Sequence, residues 1–323
     1  MMSKMRFVDL HCDTVACEVY RSCGKKNLRS NDCHLDLLRM REGGSLLQCF
    51  ALYIPTPAHD AATGEEIGPW EYFEKTADCF DAEMAKNADL ITQVRCYADI
   101  EKNIAEGKMS AMLTVEDGVP LEGKLERLDA MYARGVRLIT LTWNHENSLG
   151  FPNKTAPDKG LKPFGIEALA RMNELGIIAD SSHMSDAGFW DLVKYSKKPF
   201  VASHSDAKAL CNIYRNLTDD MLRALAEKGG VTGLNFEAAF LVEGTNYTRV
   251  EDLVRHARHI ADVAGVETVA LGSDFDGISA ELEFKDCAGL PMLEEGLNKA
   301  FTAREVDLIT HGNALRVIKD CIG

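Results

Sequence analysis

The sequence predicts an α/β protein, and within that class a (β/α)8 TIM-type barrel. Three observations carry the prediction. Eight short apolar segments alternate with segments of helical period, as parallel strands and their return helices do. No GxGxxG follows the first strand, which removes support for a dinucleotide-binding sheet, although an open doubly wound sheet remains the structural alternative. The four long polar or Gly/Pro-rich segments, 55–70, 144–163, 237–248 and 275–296, all follow the C-terminal ends of proposed strands. In a barrel that is the rim where active sites form.

In chain order the proposed strands are Arg6–Leu10, Leu46–Ile54, Ala111–Val115, Val136–Leu141, Ile177–Asp180, Phe200–Ser203, Val231–Asn235 and Thr268–Gly272. Most are continuous apolar runs, as strands buried on both faces require. Helical periodicity covers Glu71–Lys86, Leu121–Arg134, Gly165–Leu175, Asp186–Tyr195, Thr218–Lys228 and Val250–Ala264. Ser185 and Thr218 are capping residues before two of these helices, and Gly135, Gly176, Gly229 and Gly265 close four. A last helical stretch, Ala303–Lys319, is expected on the outside. No linker, repeat or low-complexity block divides the 323 residues, so residues 1–323 read as a single barrel domain.

Composition narrows the partners. A net charge of −14 and the absence of any basic run argue against nucleic acid and against an anionic membrane surface. No apolar run approaches the ~20 residues of a membrane span. Met1–Val8 has no signal-peptide pattern, and ten cysteines without a CxxC pair read as free thiols in a reducing compartment. The expected location is the cytoplasm.

Ligand-type residues recur at the strand ends. His11 and Asp13, two apart on the first strand, project to one face and make half of a metal site. A buried His–Asp pair that is only hydrogen-bonded is the other reading. Glu116 follows the third strand, where a carboxylate either binds a metal or caps a helix. His183 ends the fifth strand and His204 the sixth, each after a serine. Together these residues suit two divalent ions ~3.5–4 Å apart. Glu116 would bridge, His11 and Asp13 would complete one ion, and His183 and His204 the other. Imidazole and carboxylate suit zinc, with manganese or cobalt also accommodated. Asp274, after the eighth strand, can shuttle a proton or act as the Asx partner of the Asp276–Gly277 turn. Arg215 either grips a substrate carboxylate or is a solvated surface arginine.

The order of these motifs resembles the membrane (renal-type) dipeptidase family of zinc peptidases, within the amidohydrolase-like barrels. The matching segments are Asp9–Leu10–His11–Cys12–Asp13, Glu116–Asp117–Gly118, Ser182–His183–Met184–Ser185, Ser203–His204–Ser205, Arg215–Asn216–Leu217–Thr218–Asp219–Asp220 and Gly272–Ser273–Asp274–Phe275–Asp276–Gly277. The resemblance implies a metal-dependent hydrolase barrel with two zinc ions per chain. It implies hydrolysis of dipeptides through a metal-bridging hydroxide, and a homodimer. His11, Asp13, Glu116, His183 and His204 take the ligand positions, and Arg215 the position that holds the substrate carboxylate. Asp274 takes the acid/base position, with Glu116 counted beside it as catalytic. A substrate-binding histidine of animal members aligns with Trp143, and His145, two residues later, is its candidate replacement. The alternative is a related barrel metal hydrolase acting on another small amide, lactone or acylated amino acid. A non-catalytic binding barrel would leave the ligand residues without a purpose. His256 and His259, three apart on one helix, are expected on its exposed face; His34 and His59 receive no role.

Overall fold

The computed structural model describes residues 6–323. Eight parallel strands close into a barrel: β1 (Phe7–Cys12), β2 (Ser45–Tyr53), β3 (Met109–Glu116), β4 (Val136–Thr140), β5 (Ile178–Asp180), β6 (Val201–Ala202), β7 (Val231–Leu234) and β8 (Val269–Leu271). Each pairs with its neighbour in sequence, and β8 pairs back to β1 through Asp9 and Leu271. All eight expected segments supply a barrel strand.

Register builds the floor of the site. Tyr53 stands opposite Glu116, Glu116 opposite Thr140, and Thr140 opposite Asp180. Four neighbouring strands therefore end in one layer of polar side chains. Along β3, Ser110, Met112, Thr114 and Glu116 share a face, because side chains on a strand repeat every second residue.

One strand of the main sheet was not anticipated. β4 pairs only with the second half of β3, from Leu113 onward. The exposed first half is covered by Ile91–Gln93, which pairs with Met109–Ala111. Three residues are too few to show any period in the sequence. The long rim segments also carry more order than their composition suggests. Tyr247–Thr248 pairs with Glu281–Leu282, tying the segments after β7 and β8 together, and Leu290–Leu297 is helical.

The C-terminal stretch is broken into Ala303–Asp307, a π-turn at Leu308–Gly312 and the helix Asn313–Ile322. That last helix does not ride the flank of the barrel. Ala314, Val317, Ile318 and Cys321 pack with Val8, Val201, Val231 and Ala270 of the strands. Asn313 fixes it by donating from Nδ2 to the carbonyls of Val266 (2.7 Å) and Val269 (2.8 Å).

His256 is fully buried, not exposed. Its helix, Val250–Ala264, buries Leu253, His256, Ala257 and Ile260 in one stripe, so the spacing that defines the apolar face includes the histidine. Nδ1 accepts from the Ala207 amide at 3.2 Å, which leaves Nε2–H to donate to the Leu241 carbonyl at 3.0 Å. His259, at the edge of the stripe, meets Asp219 Oδ1 at 2.8 Å. Burial lowers the pKa of His256 to about 4. The unfolded chain therefore binds more protons than the folded one between that value and about 6.5, and stability falls as pH falls through this window. Wild type should lose on the order of 3 kcal/mol more than His256→Gln across it. Urea unfolding at a series of pH values checks this; parallel curves for the two proteins would refute it.

Candidate metal centre

Five strand ends deliver the side chains of the site: β1 gives His11 and Asp13, β3 Glu116, β5 His183, β6 His204 and β8 Asp274. β1 continues past Cys12 alongside the segment after β8, where the Asp13 amide donates to the Phe275 carbonyl at 2.9 Å and the Asp274 amide to the His11 carbonyl at 3.2 Å. Those two bonds bring His11, Asp13 and Asp274 together. Asp117, His183 and Asp274 adopt left-handed backbone conformations, with φ of 81°, 66° and 60°. Non-glycine residues enter this region at a cost, and it is concentrated here at strand ends that carry or adjoin the cluster. Gly277 leaves the space that Asp13 and Asp274 occupy, since a Cβ there would collide with both carboxylates.

Glu116 is at the centre, and its two oxygens have different nearest imidazoles. Oε2 lies 3.7 Å from His11 Nε2. Oε1 lies 3.1 Å from His183 Nε2 and 3.7 Å from His204 Nε2. His11 Nε2 also stands 3.4 Å from Asp13 Oδ2 and 3.8 Å from Asp274 Oδ1. Two ligands of one tetrahedral ion bound at about 2.0–2.1 Å are about 3.4 Å apart. Two groups, His11–Glu116–His204 and His11–Asp13–Asp274, bring all their ligand atoms within 4.8 Å of one another.

The hydrogen bonds leave these atoms bare. Ser203 Oγ is 2.6 Å from Asp180 Oδ2 and 2.7 Å from His204 Nδ1. A carboxylate only accepts, so the hydroxyl hydrogen goes to Asp180 and His204 donates from Nδ1. His183 Nδ1 meets Asn144 Oδ1 at 3.3 Å, again as donor. Both Nε2 atoms then carry lone pairs, 3.0 Å apart and facing Glu116. Both ring nitrogens of His11 and Oδ1 of Asp13 are buried without a hydrogen-bond partner. Lone pairs and carboxylates packed this tightly repel unless cations lie between them, so the donor set fits divalent metal.

The protonation tendencies reflect the same crowding. Burial, with Arg215 and His11 nearby, holds His183 and His204 well below the usual imidazole range. Burial opposes charge on His11 too, but Glu116, Asp13 and Asp274 outweigh it and lift its pKa to about 10. Burial raises Asp274 to about 7, against the pull of His11 and with the push of Asp13.

Above the cluster lies a cavity of about 370 Å³. Asp13, Glu116, His183, Arg215 and Asp274 all line it, with Tyr53, Trp143, Glu237 and Phe240. Arg215 is 4% exposed, which excludes the surface-arginine reading. Its Nη2 donates to the His204 carbonyl at 3.2 Å and its Nη1 to Ser205 Oγ at 3.4 Å, while Nε is unpartnered. The two aspartates after β8 divide their work. Asp276 accepts from Thr14 Oγ1 and the His34 amide, both at 2.6 Å, and pins the loops together. Asp274 is held by Asn235 Nδ2 at 2.9 Å on one oxygen and keeps the other beside His11.

Residues 1–321 match the family described as membrane dipeptidase (peptidase family M19). The chain belongs to this family. An uncharacterized protein from the pqqA 5′ region of Klebsiella pneumoniae is 40% identical over 248 residues, 73% of this chain and 91% of that one. An uncharacterized dipeptidase of Schizosaccharomyces pombe is 34% identical over 76% of this chain, which spans only 61% of that protein's length. Among solved structures, a metallo peptidase from Rhodobacter sphaeroides, liganded with a phosphinate mimic of the dipeptide L-Ala-D-Ala, superposes with a TM-score of 0.90 at 28% identity, covering 99% of this chain and 100% of that one. A second metallo peptidase of the family, described as a dipeptidase, gives 0.87 at 27% identity, with 99% and 100% covered. Among the described residues, no helix is long and apolar enough to cross a membrane.

His145 is not brought to the cavity of this family member. It is exposed, and Trp143 forms the wall, with its ring 5.9 Å from that of His145 and 6.0 Å from that of His183. Asp180 and Asp9 were missed as supports. Asp180 accepts from Thr140 Oγ1 (2.6 Å) and the Ser203 amide (2.8 Å), and Asp9 from Ser273 Oγ (2.6 Å) and its amide (2.8 Å). Asp9 is an acid inside a largely apolar strand and Asp180 an acid at the end of one, which is their signal in the sequence.

Because Ser203 sets the His204 tautomer, Ser203→Ala should weaken zinc affinity roughly 10–100-fold, the usual scale for groups that orient a ligand. Competition with a chromophoric chelator measures it, with circular dichroism confirming the fold. Unchanged affinity would show that the tautomer is set elsewhere.

Proposed function

We propose that residues 1–323 form one barrel domain that acts as a zinc-dependent dipeptidase with two ions per chain. The observation that carries this reading is the two-faced placement of Glu116, with one oxygen toward His11 and the other toward His183 and His204. His11 and Asp13 would hold one ion, His183 and His204 the other, and Glu116 both. When bound, the ions supply Lewis acidity and make water nucleophilic near neutral pH.

The chain's own residues do the rest. Arg215 presents a buried guanidinium with an unpartnered Nε to the cavity, suited to a bidentate grip on the free carboxylate of a dipeptide. This fixes the scissile amide one residue away, over the cluster. Asp274 Oδ1, left free by the Asn235 bond to Oδ2, takes the proton of the attacking water. It returns that proton to the amine nitrogen as the C–N bond breaks. A cavity of about 370 Å³ lies at the small end of ligand sites, about 300–1,000 Å³, which favours dipeptides over long chains. The dipeptide mimic bound by the Rhodobacter relative supports the same substrate class.

Four measurements of kcat/KM test this. Wild type and Arg215→Met are each assayed with a free dipeptide and with its C-terminal amide. Removing the carboxylate charge or the guanidinium alone should cost about 1.5–3 kcal/mol, the scale of a hydrogen bond to a charged group. Removing both should cost little more than one. Additive losses would mean that Arg215 and the carboxylate never meet. Activity should vanish with chelator and return with zinc.

A further inference from the structure

The cavity has two chemically unlike halves. On the β1–β4 side its wall is apolar and aromatic: Cys17, Tyr53 and Trp143, with the last two rings edge-to-face at 4.8 Å and 65°. On the β6–β8 side it carries charge: Arg215 and Glu237, with Phe240 and Ile278 between and beyond them. The acids Asp13, Glu116 and Asp274 all face His11 in the cluster. Glu237 does not belong to that cluster.

Glu237 is a half-buried carboxylate with neutral partners only. Its Oε2 accepts from the Ser279 amide at 2.9 Å and from Ser279 Oγ at 3.4 Å, and its Oε1 accepts from the Ala239 amide at 3.4 Å. No cationic side chain among the described residues pairs with it, although the chain's exposed acids pair freely with lysines and arginines elsewhere. Its backbone is fixed as well, through the bond from its amide to Asn235 Oδ1 at 2.7 Å. A carboxylate held still in a cavity wall and left without a counter-ion is a recognition group for a cation. Its neighbour decides which cation. Arg215 lies over the Phe240 ring, 5.3 Å from the centroid, and Phe240 is three residues from Glu237 on the same short turn. The residue whose carboxylate Arg215 holds is therefore the residue beside Glu237.

We propose that Glu237 determines specificity for the C-terminal side chain, and that the cavity selects dipeptides with an apolar or aromatic N-terminal residue and a basic C-terminal residue. This rests on the dipeptidase reading above, in which Arg215 holds the terminal carboxylate.

The test uses the zinc-loaded full chain with Leu-Lys, Leu-Met, Leu-Glu and Lys-Leu. Wild type should favour Leu-Lys over Leu-Met roughly ten- to hundredfold in kcat/KM, the range of a charge-assisted hydrogen bond. Glu237→Gln, which keeps the oxygen acceptor, should bring that ratio close to one. Glu237→Lys should move the preference to Leu-Glu. Free L-lysine should inhibit wild type more strongly than L-methionine by a similar factor, a readout that needs no variant to fold. Equal kcat/KM for Leu-Lys and Leu-Met would overturn the proposal and leave the dipeptidase reading standing. A uniform loss across all four substrates in Glu237→Gln would assign Glu237 to the substrate's α-ammonium and overturn it too. Hydrolysis of none of the four by wild type would remove both.

Discussion

Everything in this barrel is arranged around a repulsion. Glu116, Asp13 and Asp274 converge on His11 at the base of the cavity, and two imidazole lone pairs from His183 and His204 point at Glu116. Burying charge without compensation costs several kcal/mol per group. The protein does not relax the cluster by spreading it. It clamps it from beneath, where Asp180 holds Ser203 and Asp9 holds Ser273, one brace on each side of the barrel. The clamps fix tautomer and direction, which is how a site is kept ready for cations that restore neutrality.

The barrel makes such a clamp affordable in length of chain. Parallel strands in register end in one layer, so residues as far apart in sequence as His11 and Asp274 meet without long-range loops. Specificity is then left to the segments beyond the strands. The one after β4 turns Trp143 inward and His145 outward, and the one after β7 supplies Glu237 and Phe240. The cluster and the cavity wall above it are built from different parts of the chain, so the wall can change while the cluster stays.

The barrel strands were legible because they are buried on both faces and read as apolar runs. The residues of the cluster were legible because charged or polar residues end those runs. Three kinds of feature were not. Ile91–Gln93 is three residues long and owes its pairing to the late start of β4, a tertiary fact. Leu290–Leu297 lies in a stretch with Gly289, Pro291 and Gly296, which reads as loop although proline is tolerated in a first helical turn. His256 was misplaced by its polarity, although its spacing from Leu253 and Ile260 puts it on the buried stripe. Arg215 and Trp143 fall between these cases. The sequence places Trp143 after the fourth strand and Arg215 just before a helix, but only packing shows the guanidinium buried and the indole in the wall.

The central claim is that one carboxylate serves two ions. Elemental analysis of wild type and Glu116→Gln, purified without chelator and dialysed against a series of free-zinc concentrations, tests it most directly. Wild type should retain close to two zinc equivalents per chain, and the variant should lose affinity at both positions together, because each ion loses the same anionic bridge. A variant that holds one equivalent at wild-type affinity while losing the other would contradict the claim, and would place Glu116 on one ion alone.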